Sequence, residues 1–149
     1  LREWMPLGIA GIVTNTVVLN QYAKPYGSVI KLIEAYLEIT DKPVVMEIDG
    51  HSVEELLEVG KVFTEMSDQI ILKIPCSVNG LKAFAALKTE GVETFCTTVF
   101  SLTQAAAVAQ AGVRDARKDF NSSRLTSLNG MFGSSAEYRR LIIIGIESG

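Results

Sequence analysis

The amino-acid sequence predicts an α/β fold built on a parallel sheet with helical crossovers. Short runs rich in β-branched residues alternate with segments of helical hydrophobic period, in units of roughly 20 to 30 residues. Composition agrees: 149 residues, 48% hydrophobic and 21% charged, suit a soluble domain with one core.

Residues 8–15 (GIAGIVTN) read as a first strand that ends in polar groups. Residues 29–39 (VIKLIEAYLEI) have helical spacing behind the breakers Pro25 and Gly27. Residues 44–48 (VVMEI) form a second strand. Ser52-Val53-Glu54-Glu55 fits a capping box and opens a helix with Val53, Leu56, Leu57 and Phe63 on one stripe. Residues 69–74 (QIILKI) are a buried-type strand stopped by Pro75, and a helix follows around 81–89 with Leu81, Phe84 and Leu87 on its apolar side. Gly91 ends that helix. Residues 93–100 make the fourth strand, and 102–110 an alanine-rich helix closed by Gly112. Beyond it, residues 114–133 are polar and read as loop or weak helix, with 141–146 as a last strand. No linker separates a second domain, so residues 1–149 are taken as one.

The net charge of −3 gives no long-range attraction to nucleic acid or to an anionic membrane. The short basic stretch 114–118 reads as solvated surface. No apolar run approaches the roughly 20 residues that span a bilayer, and the first residues lack a signal-peptide core. The two cysteines, Cys76 and Cys96, make no disulfide framework, and no Cys/His cluster has metal-ligand spacing. His51 is the single histidine and has no triad partner. A reduced, cytoplasmic protein without metal or organic cofactor is the simplest expectation.

Lys73 stands out within Ile70-Ile71-Leu72-Lys73-Ile74-Pro75, a strand that otherwise reads as buried on both faces. An ammonium is costly to bury, and a desolvated lysine amine is a usable nucleophile. The bland alternative is a structural lysine that snorkels or is paired at a strand end. Neighbouring strands bear on the choice. If the sheet curls into a barrel, period-two alternation puts Val13 and Asn15, Val45 and Glu47, Ile71 and Lys73, and Phe95, Thr97 and Val99 on the inner face. Barrel enzymes keep their chemistry on polar residues at the C-terminal ends of such strands. Singly, Asn15 and Thr97 are ordinary strand caps and Glu47 an ordinary cation partner; together they converge on one mouth.

Three ordered segments resemble the transaldolase and fructose-6-phosphate aldolase family. Gly11-Ile12-Val13-Thr14-Asn15 is similar to its G-V-T-T-N segment. Ile71-Leu72-Lys73-Ile74-Pro75 with Asn79-Gly80-Leu81-Lys82-Ala83 resembles its Schiff-base strand and the next helix. Gly91-Val92-Glu93, Thr97-Thr98-Val99-Phe100-Ser101, Gln104-Ala105 and Ala111-Gly112-Val113 resemble the unit that follows. The match covers residues 8–113 and leaves 114–149 as a divergent tail. It implies a (β/α) TIM-barrel type fold, incomplete, with about four to five of eight βα units.

The resemblance also implies roles. Lys73 corresponds to the Schiff-base lysine, Glu47 and Thr97 to the pair that positions a catalytic water, and Asn15 to a residue that holds substrate hydroxyls. Ser101 lies near the mouth and is read as structural, His51 as a loop residue and Cys76 as a packed thiol. Two departures matter. The sequence opens at Leu1-Arg2-Glu3-Trp4, which corresponds to the helix after the family's first strand, so that strand's aspartate has no counterpart in it, and Thr16 replaces the proline that follows the asparagine. The phosphate-binding arginine corresponds to Arg124 only with about two residues inserted.

The expected activity is that of a transaldolase-type transferase, which moves a dihydroxyacetone unit between sugar phosphates. The alternatives are a fructose-6-phosphate aldolase-type lyase, or a catalytically impaired remnant that acts only as a folded or associating domain. Small-molecule sugar phosphates are the expected partners, with no nucleic acid and no membrane. The apolar inner face and open sheet edge predict a homo-oligomer unless residues 114–149 fold back over them.

Overall fold

The computed structural model describes residues 1–3 and 5–113 and the backbone strand at 115–118. Among the described residues five strands, β1 (Ile12–Val13), β2 (Val44–Glu47), β3 (Ile70–Pro75), β4 (Thr94–Val99) and β5 (Asp115–Lys118), lie side by side in chain order. Every adjacent pair is parallel. Helices α1 (Thr16–Ala23) and α2 (Val29–Ile39) connect β1 to β2, and α3 (Val53–Thr64), α4 (Val78–Thr89) and α5 (Leu102–Ala111) make the later crossovers. A doubly wound sheet reverses its strand order at a switch point. Here the order never reverses, so the chain forms a partial (β/α) barrel-type fold.

Alternation along the strands divides the sheet into two faces. Ile12, Val44, Met46, Ile48, Ile70, Leu72, Ile74 and Cys96 join the core cluster with Leu32, Ile33, Leu56, Phe84 and Val108 from the helices. The intervening positions, among them Val45, Glu47, Ile71, Lys73, Phe95 and Thr97, therefore belong to the opposite, inner face. Val45 and Phe95 are buried there outside the helix-side cluster.

Each main crossover helix starts at a short polar residue whose side chain accepts a backbone N–H from the first turn. Asn15 caps α1, Ser28 α2, Ser52 α3, Ser77 α4 and Ser101 α5. These caps satisfy donors that a helix cannot pair internally. Those at Asn15, Ser52, Ser77 and Ser101 also fix where a strand hands over to its helix, at the C-terminal end of the sheet.

Several sequence expectations are corrected. The first strand, expected over 8–15, is only two residues long, and α1 follows it at Thr16–Ala23, where no element was expected. Helix α4 begins at Val78, because Ser77 supplies the cap ahead of Asn79-Gly80. Glu55 reaches the His51 N–H at 2.7 Å rather than the Ser52 N–H. Residues 115–118 pair as a strand where loop or weak helix was expected; their charged composition hides the ladder that β4 offers them. The expected strand at 141–146, and Arg124, lie outside the described residues.

Candidate active site

The β2–β3 register sets Glu47 directly beside Lys73. Their side chains meet with Lys73 Nζ 2.7 Å from Glu47 Oε2, at only 12% and 14% exposure. Each charge alone would be costly at such burial, and the pair offsets much of that cost. Lys73 Nζ also donates to the Thr14 carbonyl at 2.9 Å. The amine is thus held between a carboxylate at the end of β2 and a carbonyl just past β1.

Thr14 is the residue that sequence reasoning missed. It is buried, its hydroxyl donates to the Val45 carbonyl at 3.0 Å, and that hydroxyl accepts the Glu47 N–H at 3.2 Å. A threonine inside a quoted motif carries little signal by itself, because its partners lie 31 and 33 residues away.

Thr97 is level with Pro75, one pleat nearer the C-terminal end than Lys73, which is level with Phe95. Its carbonyl accepts the Cys76 N–H at 2.9 Å. No hydrogen bond joins its hydroxyl to Lys73 or Glu47 among the described residues. Asn15 stands at the same end, and its side-chain oxygen accepts the Val18 N–H at 2.7 Å. The cap occupies that oxygen and leaves the amide NH2 as the donor for any ligand.

Beside β1 a cavity of about 650 Å³ reaches Lys73, and Thr14, Asn15, Tyr22 and Tyr36 share its wall. Glu47 and Thr97 do not line it, so it approaches the lysine from the β1 side only. Burial, aided by Tyr26 and Tyr22, holds the Tyr36 hydroxyl above its ordinary pKa and keeps it a neutral donor.

Strand β4 contains a local distortion. Cys96 pairs with Ala116 and Val99 with Lys118, so three steps on β4 match two on β5. This is a β-bulge, and its extra residue reverses the alternation beyond it. Val99, expected on the inner face, packs instead with the helix-side core. Thr98 takes up the distortion at φ 57, the one positive-φ non-glycine among the described residues, and its hydroxyl accepts the Cys76 N–H at 3.1 Å. A β-branched residue in this left-handed region is strained. Thr98→Asn keeps an acceptor and tolerates that conformation, so it is expected to stabilise the fold by about 0.5–1 kcal/mol. Thr98→Val should destabilise it, and urea unfolding of both variants checks the pair. An Asn variant less stable than the Val variant would remove the strain argument.

The remaining polar candidates are structural. His51 is exposed, and its carbonyl accepts from Asn79 Nδ2 at 2.8 Å, tying the loop after β2 to α4. Ser101 and Gln104 complete a reciprocal capping box on α5. Cys76 and Cys96 are free thiols; burial, with Cys76 beside it, pushes Cys96 up to about 12. Cys96 therefore stays a protonated, packed thiol. Among the described residues no group of three or more His, Cys, Asp and Glu is placed to hold a metal ion, and no helix is long and apolar enough to cross a membrane.

A parallel barrel-type sheet with a lysine and a carboxylate paired at its strand ends defines a class of lysine-centred βα proteins. Within that class, the family model "Transaldolase/Fructose-6-phosphate aldolase" matches residues 14–127. The chain belongs to this family. It is 36% identical over 113 residues to a probable transaldolase of Aquifex aeolicus, covering 75% of this chain and 51% of that protein. A probable transaldolase of Sulfurihydrogenibium is 33% identical over 102 residues, 68% of this chain and 46% of the relative. Probable transaldolase 2 of Listeria monocytogenes is 31% identical over 113 residues, 75% and 50%. The chain spans about half the length of the curated relatives it matches.

Proposed function

We propose that this chain carries the Schiff-base centre of a transaldolase-type transferase acting on sugar phosphates. The observation that supports the reading most is the Lys73 amine held 2.7 Å from the Glu47 carboxylate on strands within the family match. In the proposed reaction, Lys73 gives up a proton toward Glu47 and its neutral nitrogen attacks the ketone carbon of a ketose phosphate such as fructose 6-phosphate. The resulting carbinolamine loses water. Glu47 returns the proton to the departing hydroxyl through a water that Thr97 helps to position. The protonated imine then draws in the electrons of the adjacent carbon–carbon bond while the hydroxyl on the departing carbon loses its proton to water, and an aldose phosphate leaves. The three-carbon unit remains on Lys73 as an enamine.

Addition of that enamine to a second aldose phosphate is transfer; its protonation and hydrolysis is cleavage. The family description names a transaldolase and an aldolase, so the lyase is the second reading. Asn15 supplies a donor to substrate hydroxyls in either case, and Arg124 is the proposed phosphate ligand. A soluble, cytoplasmic setting suits such a reaction.

Borohydride reduction with fructose 6-phosphate, followed by intact mass and peptide mapping, tests the proposal. A three-carbon adduct on Lys73 is expected, and Lys73→Ala should remain unlabelled. An adduct on another lysine, or none on the wild type, would sink it.

A further inference from the structure

We infer that Thr14 is a positioning residue for the Schiff-base centre, setting both the direction of the Lys73 amine and the place of the Glu47 carboxylate. The inference rests on the reading of Lys73 as the nucleophile and deepens it.

Thr14 lies just past β1, where the chain turns toward α1, and it is 4% exposed. Its backbone N–H donates to the Val45 carbonyl at 2.9 Å, and its hydroxyl donates to the same carbonyl at 3.0 Å. That hydroxyl also accepts the Glu47 N–H at 3.2 Å. One side chain therefore extends the short β1–β2 ladder by two contacts, and the second falls on the backbone of the residue that carries the carboxylate. The Thr14 carbonyl accepts from Lys73 Nζ at 2.9 Å.

The consequence follows from the geometry of an amine. Neutral lysine has two N–H donors and one lone pair in a tetrahedral arrangement. With the Thr14 carbonyl at 2.9 Å and Glu47 Oε2 at 2.7 Å, two of the three directions around the nitrogen are held and one is left open for the ketone carbon. The ammonium form has a third hydrogen, which neither of these acceptors takes. Thr14 thus contributes one of the two acceptors directly and steadies the other through the Glu47 N–H. A reacting group must be held close to its productive geometry, and a misplacement of about 1 Å can cost on the order of 10²-fold in rate. Thr14 touches no substrate atom in this scheme; it acts through Lys73 and Glu47.

The test compares Thr14→Val, which keeps the size and backbone ladder but removes the hydroxyl, with Thr14→Ser, which keeps the hydroxyl. The first readout is the rate of borohydride trapping against fructose 6-phosphate concentration. Thr14→Val is expected to lower the saturating rate about tenfold or more with little change in the half-saturating concentration, and Thr14→Ser to stay within about threefold of wild type. The second readout needs no substrate. A double-mutant cycle of Lys73→Met with Glu47→Gln, followed by urea unfolding, measures how strongly the two side chains are coupled. The coupling should fall by at least half in the Thr14→Val background and persist with Thr14→Ser. Where Thr14→Val does not fold, Thr14→Ala removes the same hydroxyl and is read in the same way.

Wild-type coupling and a wild-type saturating rate in the hydroxyl-free variant would overturn the inference. A wild type that is never trapped would defeat the proposed function, and the coupling cycle would then decide the Thr14 clamp by itself. A Thr14→Ser variant as impaired as Thr14→Val would also overturn it, because the hydroxyl would not be what matters.

Discussion

Glu47→Gln is expected to slow imine formation about 10²- to 10⁴-fold while leaving the half-saturating sugar concentration within a few-fold of wild type. Glutamine keeps the size of the side chain and still accepts a hydrogen bond, so the change removes proton transfer more than shape. The carboxylate stands 2.7 Å from the amine that must lose a proton, with no other carboxylate paired to that amine among the described residues. An amide can neither take the proton from Lys73 nor return it to the carbinolamine hydroxyl. Single-turnover borohydride trapping over a range of fructose 6-phosphate concentrations separates the two effects. Losing one member of a largely buried ion pair also costs stability, so urea unfolding must first show that the variant is folded. Weaker binding with an unchanged chemical rate would make Glu47 a binding or structural residue.

The sequence made the fold and part of this centre legible for one physical reason: both rest on short-range periodicities. Ile70, Leu72 and Ile74 face the helices while Ile71 and Lys73 alternate with them, and period two is readable from the chain alone. The helix start at Ser52 was readable from local cap chemistry, with Glu55 accepting from the His51 N–H, one residue before the expected donor. Glu47 could be placed beside Lys73 because parallel strands in chain order carry their polar ends to the same side.

What stayed hidden depends on distant partners or on broken periodicity. The clamp at Thr14 needs the backbone of Val45 and Glu47, which no local pattern announces. The bulge at Thr98 inserts one residue into β4, so alternation counted through it puts Val99 on the wrong face. Helix α1 was masked because Thr16, Val17 and Val18 favour strands; the Asn15 cap and its place after β1 override that propensity. β5 was hidden by Asp115, Arg117 and Lys118, residues that a strand gains only from pairing.

Phe84→Ala is expected to cost about 3–5 kcal/mol, the largest stability effect of any single substitution considered. Phe84 is 1% exposed on α4 and is the bulkiest of the fully buried side chains among the described residues. It belongs to the same core cluster as Leu72 and Ile74, the two residues that flank Lys73 on β3. Truncation to a methyl removes the ring's burial and leaves a void that close-packed neighbours fill only in part. Against a total stability of about 5–15 kcal/mol for a typical domain, the loss leaves a substantially unfolded fraction at 37 °C. Phe84→Leu retains most of the volume and should cost clearly less. Because Phe84 lies on the helix side, Phe84→Ala that is still folded at low temperature should trap fructose 6-phosphate at nearly the wild-type rate. Urea midpoints for both variants, with trapping measured at 10 °C, give the comparison. A cost below about 1 kcal/mol would mean that α4 does not seat the Lys73 strand through this ring, and a folded variant with lost trapping would mean that the two faces of β3 are not independent.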